Sequence, residues 1–291
     1  MSTARYRAFS AVAHHGSLSA AARALGVSQP TVSTQIAALE RSSRTALFHR
    51  QGYRMWPTSA GARLLPLAHK LLALEAEADF LLRDAGQLHQ GELKIGAVGP
   101  FHVIEMVAAY RARYPGMQLS VRMGNSQQAL HDLEHYTTDV AVLAGLHARP
   151  ELLSRPYTRH PIIVMAPLQH PFAQRQEIAL HELHGQPLIV REAGSTTRTA
   201  LEAVLAAQGV QPRITLEIGS REALREAVAH NLGLGTVCAS EFVPDPRLRL
   251  VRLAGEPAHT TTYVYAMRER SDSLLVTSFW EAAFGEAPPA A

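Results

Sequence analysis

Residues Ser17 to Glu40 read SLSAAARALGVSQPTVSTQIAALE, and this stretch predicts two short helices joined by a turn. The first helix is built from small residues, and Gly26 ends it because glycine adopts the left-handed conformation at little steric cost. Ser28 then stands where a helix N-cap belongs, and Pro30 is tolerated in the first turn of the next helix. The pattern is that of a helix-turn-helix.

The second helix presents two chemically different faces. Val32, Ile36 and Leu39 recur at the 3.6-residue spacing of a buried face. The other side carries short hydroxyl and amide side chains, the groups that bond to base edges when a helix enters the major groove. An ordinary α-hairpin is the alternative, because such hairpins are common in proteins of many kinds.

The N-terminal segment 1–60 is strongly basic. It contains seven arginines and one acidic residue, Glu40, so its formal charge is +6. The whole chain carries +3, which leaves −3 for the remainder. A basic segment joined to a slightly acidic one is the asymmetry expected when only one domain meets phosphate.

A small β-hairpin is predicted after the second helix, at LFHRQGYRMW (residues 47–56). Two short strand-like runs flank the turn at Gln51-Gly52. Arg50 and Arg54 lie on these runs and are candidates for contacts to phosphates or to a minor groove. The alternative is a hairpin whose arginines are only solvated.

From Thr58 onward, apolar residues recur at alternating spacings of three and four. The positions, which we call the linker seam, are Leu64, Leu67, Leu71, Leu74, Ala78, Leu81, Ala85 and Leu88. So narrow a seam indicates coiled-coil pairing with a second chain, and two heads related by a two-fold axis would bind two DNA half-sites. Pro66 predicts a kink in this helix. The alternative is a single long helix packed on its own domain.

Together these features resemble the LysR-type bacterial transcriptional regulators. The resemblance rests on AFSAVAHHGSLSAAARALGVSQPTVSTQIAALE at 8–40, LFHR at 47–50 and PTSAG at 57–61. It implies a winged helix-turn-helix DNA-binding domain at 1–58, a linker and dimerisation helix at 59–90, and an effector-binding domain at 91–291. The residues that it implies face DNA are Ser28, Gln29, Pro30, Thr31, Ser33, Thr34, Gln35, Arg50 and Arg54.

Two departures from the family pattern concern the second helix. Ser43-Arg44 stands where the family usually has Leu-Gly, and a non-glycine residue there loses roughly 1 kcal/mol of helix-ending preference. Thr34 stands where an arginine or lysine is common. These departures bear on the contacts made to DNA and leave the domain assignment intact.

Beyond Gly91, strand-like runs alternate with helix-length segments. The strands are expected at 92–98, 139–146, 161–167, 187–192 and 261–267, and the helices at 104–114, 126–136, 196–208 and 221–231. This alternation predicts a mostly parallel α/β fold in two small sheets. The family resemblance implies a two-lobed, periplasmic-binding-protein-like (type 2) domain. Its lobe I would span about 91–161 and 267–291 and its lobe II about 162–266, with hinges near Ile162–Ala166 and Val264–Arg268.

Ligands of open α/β sheets bind at the carboxyl ends of strands, against helix N-termini. Four such junctions here offer backbone N–H groups, and three add hydroxyls, which suits a small carboxylate, sulfate, phosphate or phosphonate. The predicted effector-binding residues are Gly99, Pro100, Phe101, His102, Asn125, Ser126, Ser195, Thr196, Thr197, Ser220 and Arg221. For any single Ser or Thr the alternative is plain helix N-capping, and for the arginine it is solvation.

A narrower resemblance concerns GPFHV at 99–103, GNSQQAL at 124–130, REAGSTTR at 191–198 and EIGSREALREAVAHNLGLGTV at 217–237. These segments look like the LysR-type regulators associated with aminoethylphosphonate catabolism. The resemblance implies 2-aminoethylphosphonate or a related phosphonate as effector, with its phosphonate on the Ser195–Thr197 helix start or on Ser126. The sequence does not identify the group that would meet its ammonium.

Other chemistries fit the sequence poorly. His131 to His135 read HDLEH, the inverted zinc-protease motif, but no third ligand is evident at a suitable place. Cys238 is the only cysteine, which excludes an intramolecular disulfide and suits a reducing compartment. The apolar runs fall well short of the roughly 18 residues of a membrane span, and the N-terminus lacks a signal-peptide core. We expect a cytoplasmic protein without metal or cofactor, and not an enzyme.

The expected function is therefore transcriptional regulation by DNA binding in response to a small anionic effector. The resemblance implies promoter DNA, a homodimer or homotetramer, and RNA polymerase as partners, and no membrane. One alternative is a solute-binding or catalytic α/β protein with an incidental N-terminal helical hairpin. Another is an architectural DNA-binding protein without an effector.

Overall fold

The computed structural model describes residues 3–84, 88 and 90–286, and it divides into two compact units. Unit 1 comprises Met1–Lys94, Tyr114–Leu119 and His131–Asp139. Unit 2 comprises Ile95–Arg113, Ser120–Leu130 and Val140–Ala291. Within the described ranges, no helix is long and apolar enough to cross a membrane.

Three helices form the N-terminal core of unit 1. They are α1 (Ala4–His15), α2 (Leu18–Leu25) and α3 (Gln29–Ser43). Gly26 ends α2 with a left-handed φ of 66°, and its N–H group bonds back to the last turn of the helix. Phe9 and Ile36 are fully buried where the helices meet. The predicted helix-turn-helix is confirmed.

The wing is an antiparallel pair of strands, β1 (Phe48–Gln51) and β2 (Arg54–Pro57). Gln51 pairs with Arg54 across a two-residue turn in which Gly52 has a positive φ of 58°. The Met55 N–H group donates to the Gly16 carbonyl at 2.8 Å, which joins the wing to the end of α1. The predicted hairpin is confirmed.

The long helix α4 (Ser59–Asp84) runs through Pro66 and carries the linker seam from Leu64 to Leu81, whereas Leu88 has a left-handed φ of 55° and does not continue the predicted helix to residue 90. Glu75 ties α4 to the head, because it accepts hydrogen bonds from Thr3 and from Arg7. The seam leucines at 67, 71, 74 and 81 are exposed, whereas Leu88 is buried and Ala85 lies outside the described residues. In the single chain, most of the seam therefore has no protein covering it.

The C-terminal part of the chain contains the remaining strands and helices. The strands are β3 (Gly91–Ala97), β4 (Met117–Met123), β5 (Val140–Ala144), β6 (Leu152–Pro167), β7 (Glu177–Ile178), β8 (Pro187–Arg191), β9 (Arg213–Ile218), β10 (Gly235–Cys238), β11 (Leu248–Leu253) and β12 (His259–Met267). The helices are α5 (Pro100–Arg113), α6 (Ser126–Glu134), α7 (Thr196–Ala207), α8 (Arg221–Ala229) and α9 (Leu274–Phe284).

These strands form one large sheet and one parallel pair. The large sheet has the order β4-β3-β5-β12-β6-β11-β7, and β10 also pairs with β6. Strands β3 and β5 are parallel, whereas β12 runs antiparallel to both β5 and β6. Strands β8 and β9 form the separate pair. The predicted order of winged head, linker helix and α/β body is confirmed. The expectation of two small, mostly parallel sheets is wrong, because β10, β11 and β12 pair antiparallel with the long strand β6 and join most strands of the body into one sheet.

Strand β6 changes partners along its length, and this change defines two lobes. Its residues 152–161 pair with β12, and its residues 162–167 pair with β10 and β11. We call the part built on β3, β4, β5 and β12 the first lobe, and the part built on β7 to β11 the second lobe. The chain thus crosses between the lobes at Pro161-Ile162, beside the first predicted hinge.

The return crossing differs from the sequence expectation. His259 already pairs with Pro161, and Thr262 to Ala266 pair with β5, so β12 belongs to the first lobe almost from its start. The crossing therefore lies near Ala258, and not at Val264–Arg268. The position of this crossing depends on pairing with a strand more than a hundred residues earlier, which local hydrophobicity does not reveal.

Candidate DNA interface and candidate effector site

Helix α3 begins at a well-formed N-cap. The Ser28 hydroxyl accepts a hydrogen bond from the Thr31 N–H group at 3.3 Å and contacts the Thr31 hydroxyl at 2.8 Å. Val32, Ile36 and Leu39 are buried, and this fixes which side of α3 faces solvent. Of the residues predicted to face DNA, Ser28, Gln29, Pro30, Thr31 and Thr34 are exposed, whereas Ser33 and Gln35 are partly buried.

The two wing arginines have different surroundings. Arg54 is exposed, whereas the Arg50 guanidinium lies 3.3 Å from a Glu40 carboxylate oxygen. The other Glu40 oxygen accepts from the Leu47 N–H group at 2.9 Å, so this carboxylate joins the end of α3 to the wing. Tyr53, which the sequence argument did not single out, is 95% exposed at the tip of the wing.

In unit 2, the ends of neighbouring strands bring several predicted effector residues together. The Gly124 N–H group donates to the Ala97 carbonyl at 2.9 Å, and the Val98 N–H group donates to the Val142 carbonyl at 3.3 Å. The segments that follow β3, β4 and β5 therefore begin side by side at one edge of the sheet. Gly99 to His102 and Asn125-Ser126 lie in the first two of these segments.

Ser126 is the most distinctive polar residue at this edge. Its side chain is buried, with a relative exposure of 7%, and its hydroxyl has no hydrogen-bond partner among the described residues. Its neighbour Asn125 caps α6, because the Asn125 side-chain Oδ1 atom accepts from the Gln128 N–H group at 2.8 Å. Capping is thus performed by Asn125, and the Ser126 hydroxyl remains available at the helix N-terminus.

The second-lobe residues are largely engaged with their own chain. Ser195 accepts from the Arg198 N–H group at 3.5 Å, and Ser220 accepts from the Ala223 N–H group at 3.0 Å, which are helix caps. Thr197 is buried and Thr196 is partly buried. Both serine hydroxyls therefore act as helix N-caps, which is the alternative role that the sequence allowed.

Arg221 makes a polar contact between the lobes. Its guanidinium makes two hydrogen bonds with the Glu241 carboxylate, at 2.8 and 3.0 Å, and a third with the Val98 carbonyl at 3.2 Å. A Cβ atom on Gly99 would stand 3.1 Å from a Glu241 oxygen, so Gly99 permits this close approach. The charge of Arg221 is thus already paired.

His102 makes a second contact between the lobes. Its Nε2 atom lies 3.2 Å from the Ser240 hydroxyl, and its ring stacks on His160 with centroids 5.3 Å apart. Burial lowers the pKa of His160, and the nearby His102 lowers it further. Phe101 is partly buried beside His102, and Pro100 is exposed at the start of α5.

The segment after β5 was missed by sequence reasoning. The Tyr265 hydroxyl accepts from the His147 N–H group at 2.9 Å and donates to the Gly145 carbonyl at 2.7 Å. Burial raises the pKa of Tyr265 to about 12, so its hydroxyl stays protonated. The sequence contained an indication, because Gly145 and His147 follow β5 much as Gly99 and His102 follow β3.

A cavity of about 340 Å³ lies in the second lobe, between α7 and strands β8 and β9, away from the predicted effector residues. Its walls are mainly apolar, with Leu188, Leu201 and Leu205 among them. The arginines at its rim are paired, Arg191 with Glu192 and Arg198 with Glu202 and Glu217. It therefore lacks a free charge to attract an anion, and the strand-end site remains the better candidate.

The HDLEH motif shows no metal-binding arrangement. The rings of His131 and His135 lie side by side, with centroids 3.8 Å apart, and His135 Nδ1 bonds to the His131 carbonyl. Among the described residues, no group of three or more His, Cys, Asp or Glu is placed to hold a metal ion.

Two family models match the chain. Residues 3–62 match the bacterial regulatory helix-turn-helix protein, lysR family, and residues 86–287 match the LysR substrate binding domain. The chain is 28% identical over 286 residues to the HTH-type transcriptional activator CmpR of Synechocystis sp., covering 96% of this chain and 94% of that protein. It is 32% identical over 267 residues to the HTH-type transcriptional regulator CbbR of Xanthobacter flavus, covering 89% and 80%.

Solved structures share the fold. Full-length CbnR complexed with its target DNA aligns with a TM-score of 0.72 at 20% identity, covering 97% of this chain and 99% of that one. The regulatory domain of Synechocystis CcmR in complex with 2-PG aligns with a TM-score of 0.56 at 24% identity, covering 61% and 88%.

Proposed function

The chain belongs to the LysR family of DNA-binding transcriptional regulators, and from that premise we propose that it reads promoter DNA through α3 and its wing while a small anion binds at the strand ends of unit 2. The residues proposed for DNA contact are those predicted from the sequence, with Tyr53 added at the wing tip. As a regulator, the chain is proposed to catalyse no reaction.

One observation carries the effector proposal, the buried and unpartnered hydroxyl of Ser126 at the N-terminus of α6. A buried polar group without a partner costs about 1–3 kcal/mol, so a ligand that bonds to it recovers that free energy. The N-terminus of a helix presents free N–H groups and a partial positive charge, both of which favour an anion. A hydroxyl and backbone N–H groups together suit the oxygen of a carboxylate, sulfate or phosphoryl group.

The proposed effector is a small anion, and 2-aminoethylphosphonate and related phosphonates are members of that class. CcmR, whose regulatory domain has the same fold, is named as a complex with 2-PG, which supports a small ligand in this kind of domain. The names of the relatives CmpR and CbbR do not point to a phosphonate. A small anion is therefore better supported as the effector than 2-aminoethylphosphonate in particular.

We further propose that the chain acts as a homo-oligomer paired through the linker seam, and that the bound heads influence RNA polymerase at the promoter. The exposed seam leucines support pairing, because a row of exposed leucines on a helix is stabilised when a second helix covers it. Two paired heads would engage two half-sites at once.

Base readout by α3 can be tested with the double variant Gln29→Ala, Thr31→Ala. Each well-placed base contact contributes about 1–3 kcal/mol of discrimination, so the variant should lose preference for a selected operator over random DNA. Fluorescence anisotropy at fixed salt measures both affinities, and Gln174→Ala, an exposed amide in unit 2, is the control. Unchanged discrimination would remove these side chains from base readout.

The effector site can be tested by isothermal titration of a panel of small anions into the wild type and into Ser126→Ala. Loss of a hydrogen bond to a charged ligand costs about 1.5–3 kcal/mol, so the affinity should fall at least tenfold. The pair Ser195→Ala, Thr196→Ala tests the second lobe in the same way. DNA binding without ligand should be retained in both. Unaltered anion affinity in both variants would place the site elsewhere.

A further inference from the structure

The loop after β5 is held in one position close to the predicted effector residues. The single hydroxyl of Tyr265 bonds to the loop at both ends, accepting from His147 and donating to Gly145. A Cβ atom on Gly145 would stand 3.3 Å from the Thr196 methyl group, so the loop packs against the start of α7 in the second lobe. His147 thus lies two residues after Gly145, in a loop that is fixed at the carboxyl end of β5.

The imidazole of His147 has one satisfied and one unsatisfied nitrogen. Nε2 is buried and has no hydrogen-bond partner among the described residues. The Ala144 carbonyl favours a proton on the ring, and because Nε2 is unpartnered, we infer that Nδ1 is the nitrogen that faces this carbonyl. A carbonyl only accepts, so Nδ1 carries the proton in the neutral ring, and Nε2 presents a lone pair.

The charge state of His147 agrees with this assignment. Burial lowers the pKa of His147 most, the Ala144 carbonyl raises it, and the nearby Arg149 lowers it. Tyr265, the other titratable group against the ring, stays neutral because its own pKa is raised. At neutral pH, Nε2 is therefore a hydrogen-bond acceptor.

We propose that His147 Nε2 accepts a hydrogen bond from the effector, which therefore carries an N–H or O–H donor at the end opposite its anionic group. This inference rests on the proposed function. Among the described residues, the Ser126 hydroxyl and the His147 Nε2 atom are both buried without a hydrogen-bond partner, in segments that follow neighbouring strand ends, and their chemistry is complementary. The Ser126 hydroxyl donates to an anion, whereas His147 Nε2 needs a donor.

Strand spacing limits the size of such a ligand. Adjacent strands lie about 5 Å apart, so the ends of β4 and β5, which are separated by β3, are about 10 Å apart. If the side-chain atoms of Ser126 and His147 keep that spacing, hydrogen bonds of about 3 Å at each end leave about 4 Å between the terminal polar atoms of the ligand. That length corresponds to a spacer of two or three atoms. The effector class is thus a short anion with an amino or hydroxyl group at its far end.

Three phosphonates of nearly equal size test this class. They are 2-aminoethylphosphonate, 2-hydroxyethylphosphonate and ethylphosphonate, and the last has no terminal donor. In calorimetric titrations of the full chain at pH 7.5, the wild type should bind at least one of the first two about tenfold or more tightly than ethylphosphonate. In His147→Phe, which keeps a ring without an acceptor, that ratio should fall close to one, and ethylphosphonate affinity should change by less than about twofold.

A second variant separates loss of the hydrogen bond to the effector from loss of packing around the ring. His147→Gln places an amide oxygen near the former Nε2 position and should restore part of the ratio. Nitrogen NMR of the wild-type imidazole is a second test that needs no variant, and it should report the Nδ1–H tautomer at neutral pH. An Nε2–H tautomer, or a donor preference that persists in His147→Phe, would overturn the inference.

The outcomes separate the role of His147 from the existence of an anion site. Anion binding without preference for a donor would overturn the role of His147 and leave the anion site standing. Failure of every anion of the panel to bind would overturn the proposed effector, and the role of His147 with it.

Discussion

Arg44 occupies a position of the head where sequence and local conformation disagree. It ends α3 with a left-handed φ of 51°, and the Thr45 N–H group reaches back to the Glu40 carbonyl at 3.2 Å. This is the Schellman arrangement, in which glycine is preferred because a side chain is strained there. The structure therefore explains why glycine is common at this position in the family.

Arg44→Gly should raise the free energy of unfolding of the head by about 1 kcal/mol, because it removes the strain at this φ. Thermal unfolding of the full chain, followed in the transition that includes the head, measures the change. Arg44→Ala is the matched control, since it removes the charge and keeps the strain. Equal stabilities for the glycine and alanine variants would contradict the assignment of the cost to the backbone.

His69 on α4 gives unit 1 a pH dependence. Burial lowers the pKa of His69 most, the His135 carbonyl raises it, and His135, His14 and His131 each lower it. Because the folded-state pKa lies below the ordinary value of about 6.5, the unfolded chain binds more protons in that window. His69 therefore makes the free energy of unfolding fall as the pH drops from about 6.5 towards the folded-state pKa of this ring.

Replacing this residue, as His69→Leu, should flatten the fall in unfolding free energy between pH 7 and pH 5. The measurement is chemical denaturation at a series of pH values. His49→Leu, at an exposed wing position, controls for the loss of a histidine in general. An unchanged slope in His69→Leu would show that this ring does not titrate differently on folding.

At the residue scale, sequence reasoning succeeded where the neighbours are local and failed where they are distant. Ser126 lies two residues after Gly124 and begins α6, so its place at a strand end was predictable. Arg221 was predicted to bind the effector, but its partner Glu241 lies twenty residues later, and no sequence pattern near Arg221 indicates that pair. His147 was overlooked because its role depends on Tyr265, which belongs to a remote strand.

Among the elements, most helices and the apolar strands were predicted, whereas the polar strands and the last helix, α9, were not. Strands β4, β9 and β11 mix apolar and charged residues, and they form because a neighbouring strand supplies their hydrogen bonds. The first half of β6 contains Pro156, which argues against a strand by local rules. A register shift between Thr262 and Tyr263 of the paired strand accommodates it.

The linker seam predicts association at the scale of one element. Leu74 is 51% exposed on α4, so Leu74→Lys would place a charge in the apolar contact and should shift the protein towards monomer. Sedimentation velocity over a range of concentrations measures this. Ala76→Lys adds the same charge at an exposed position off the seam and should leave association intact. Loss of association in both variants, or in neither, would argue against pairing through the seam.

At the scale of the whole molecule, two crossings of the chain connect the lobes of unit 2, and polar contacts among the described residues join them as well, including one from the Thr260 hydroxyl to Cys238 Sγ at 2.9 Å. The crossings lie at Pro161-Ile162 and near Ala258, and other contacts join Arg221 to the Val98 carbonyl and His102 to Ser240. A ligand between the lobes must favour one arrangement of these contacts over another if it is to regulate anything. The two-lobed fold was predicted through family resemblance, whereas the second crossing was displaced, because its position depends on long-range strand pairing.

The central claim is that one chain couples anion binding in unit 2 to DNA binding by its head. The most direct test measures affinity for an operator, selected by the protein from random DNA, with and without a saturating anion, and then the anion affinity with and without DNA. Linkage requires the two ratios to be equal, and we predict a common factor of about fivefold or more. A factor of one in both directions, with an unchanged footprint on the DNA, would contradict the account.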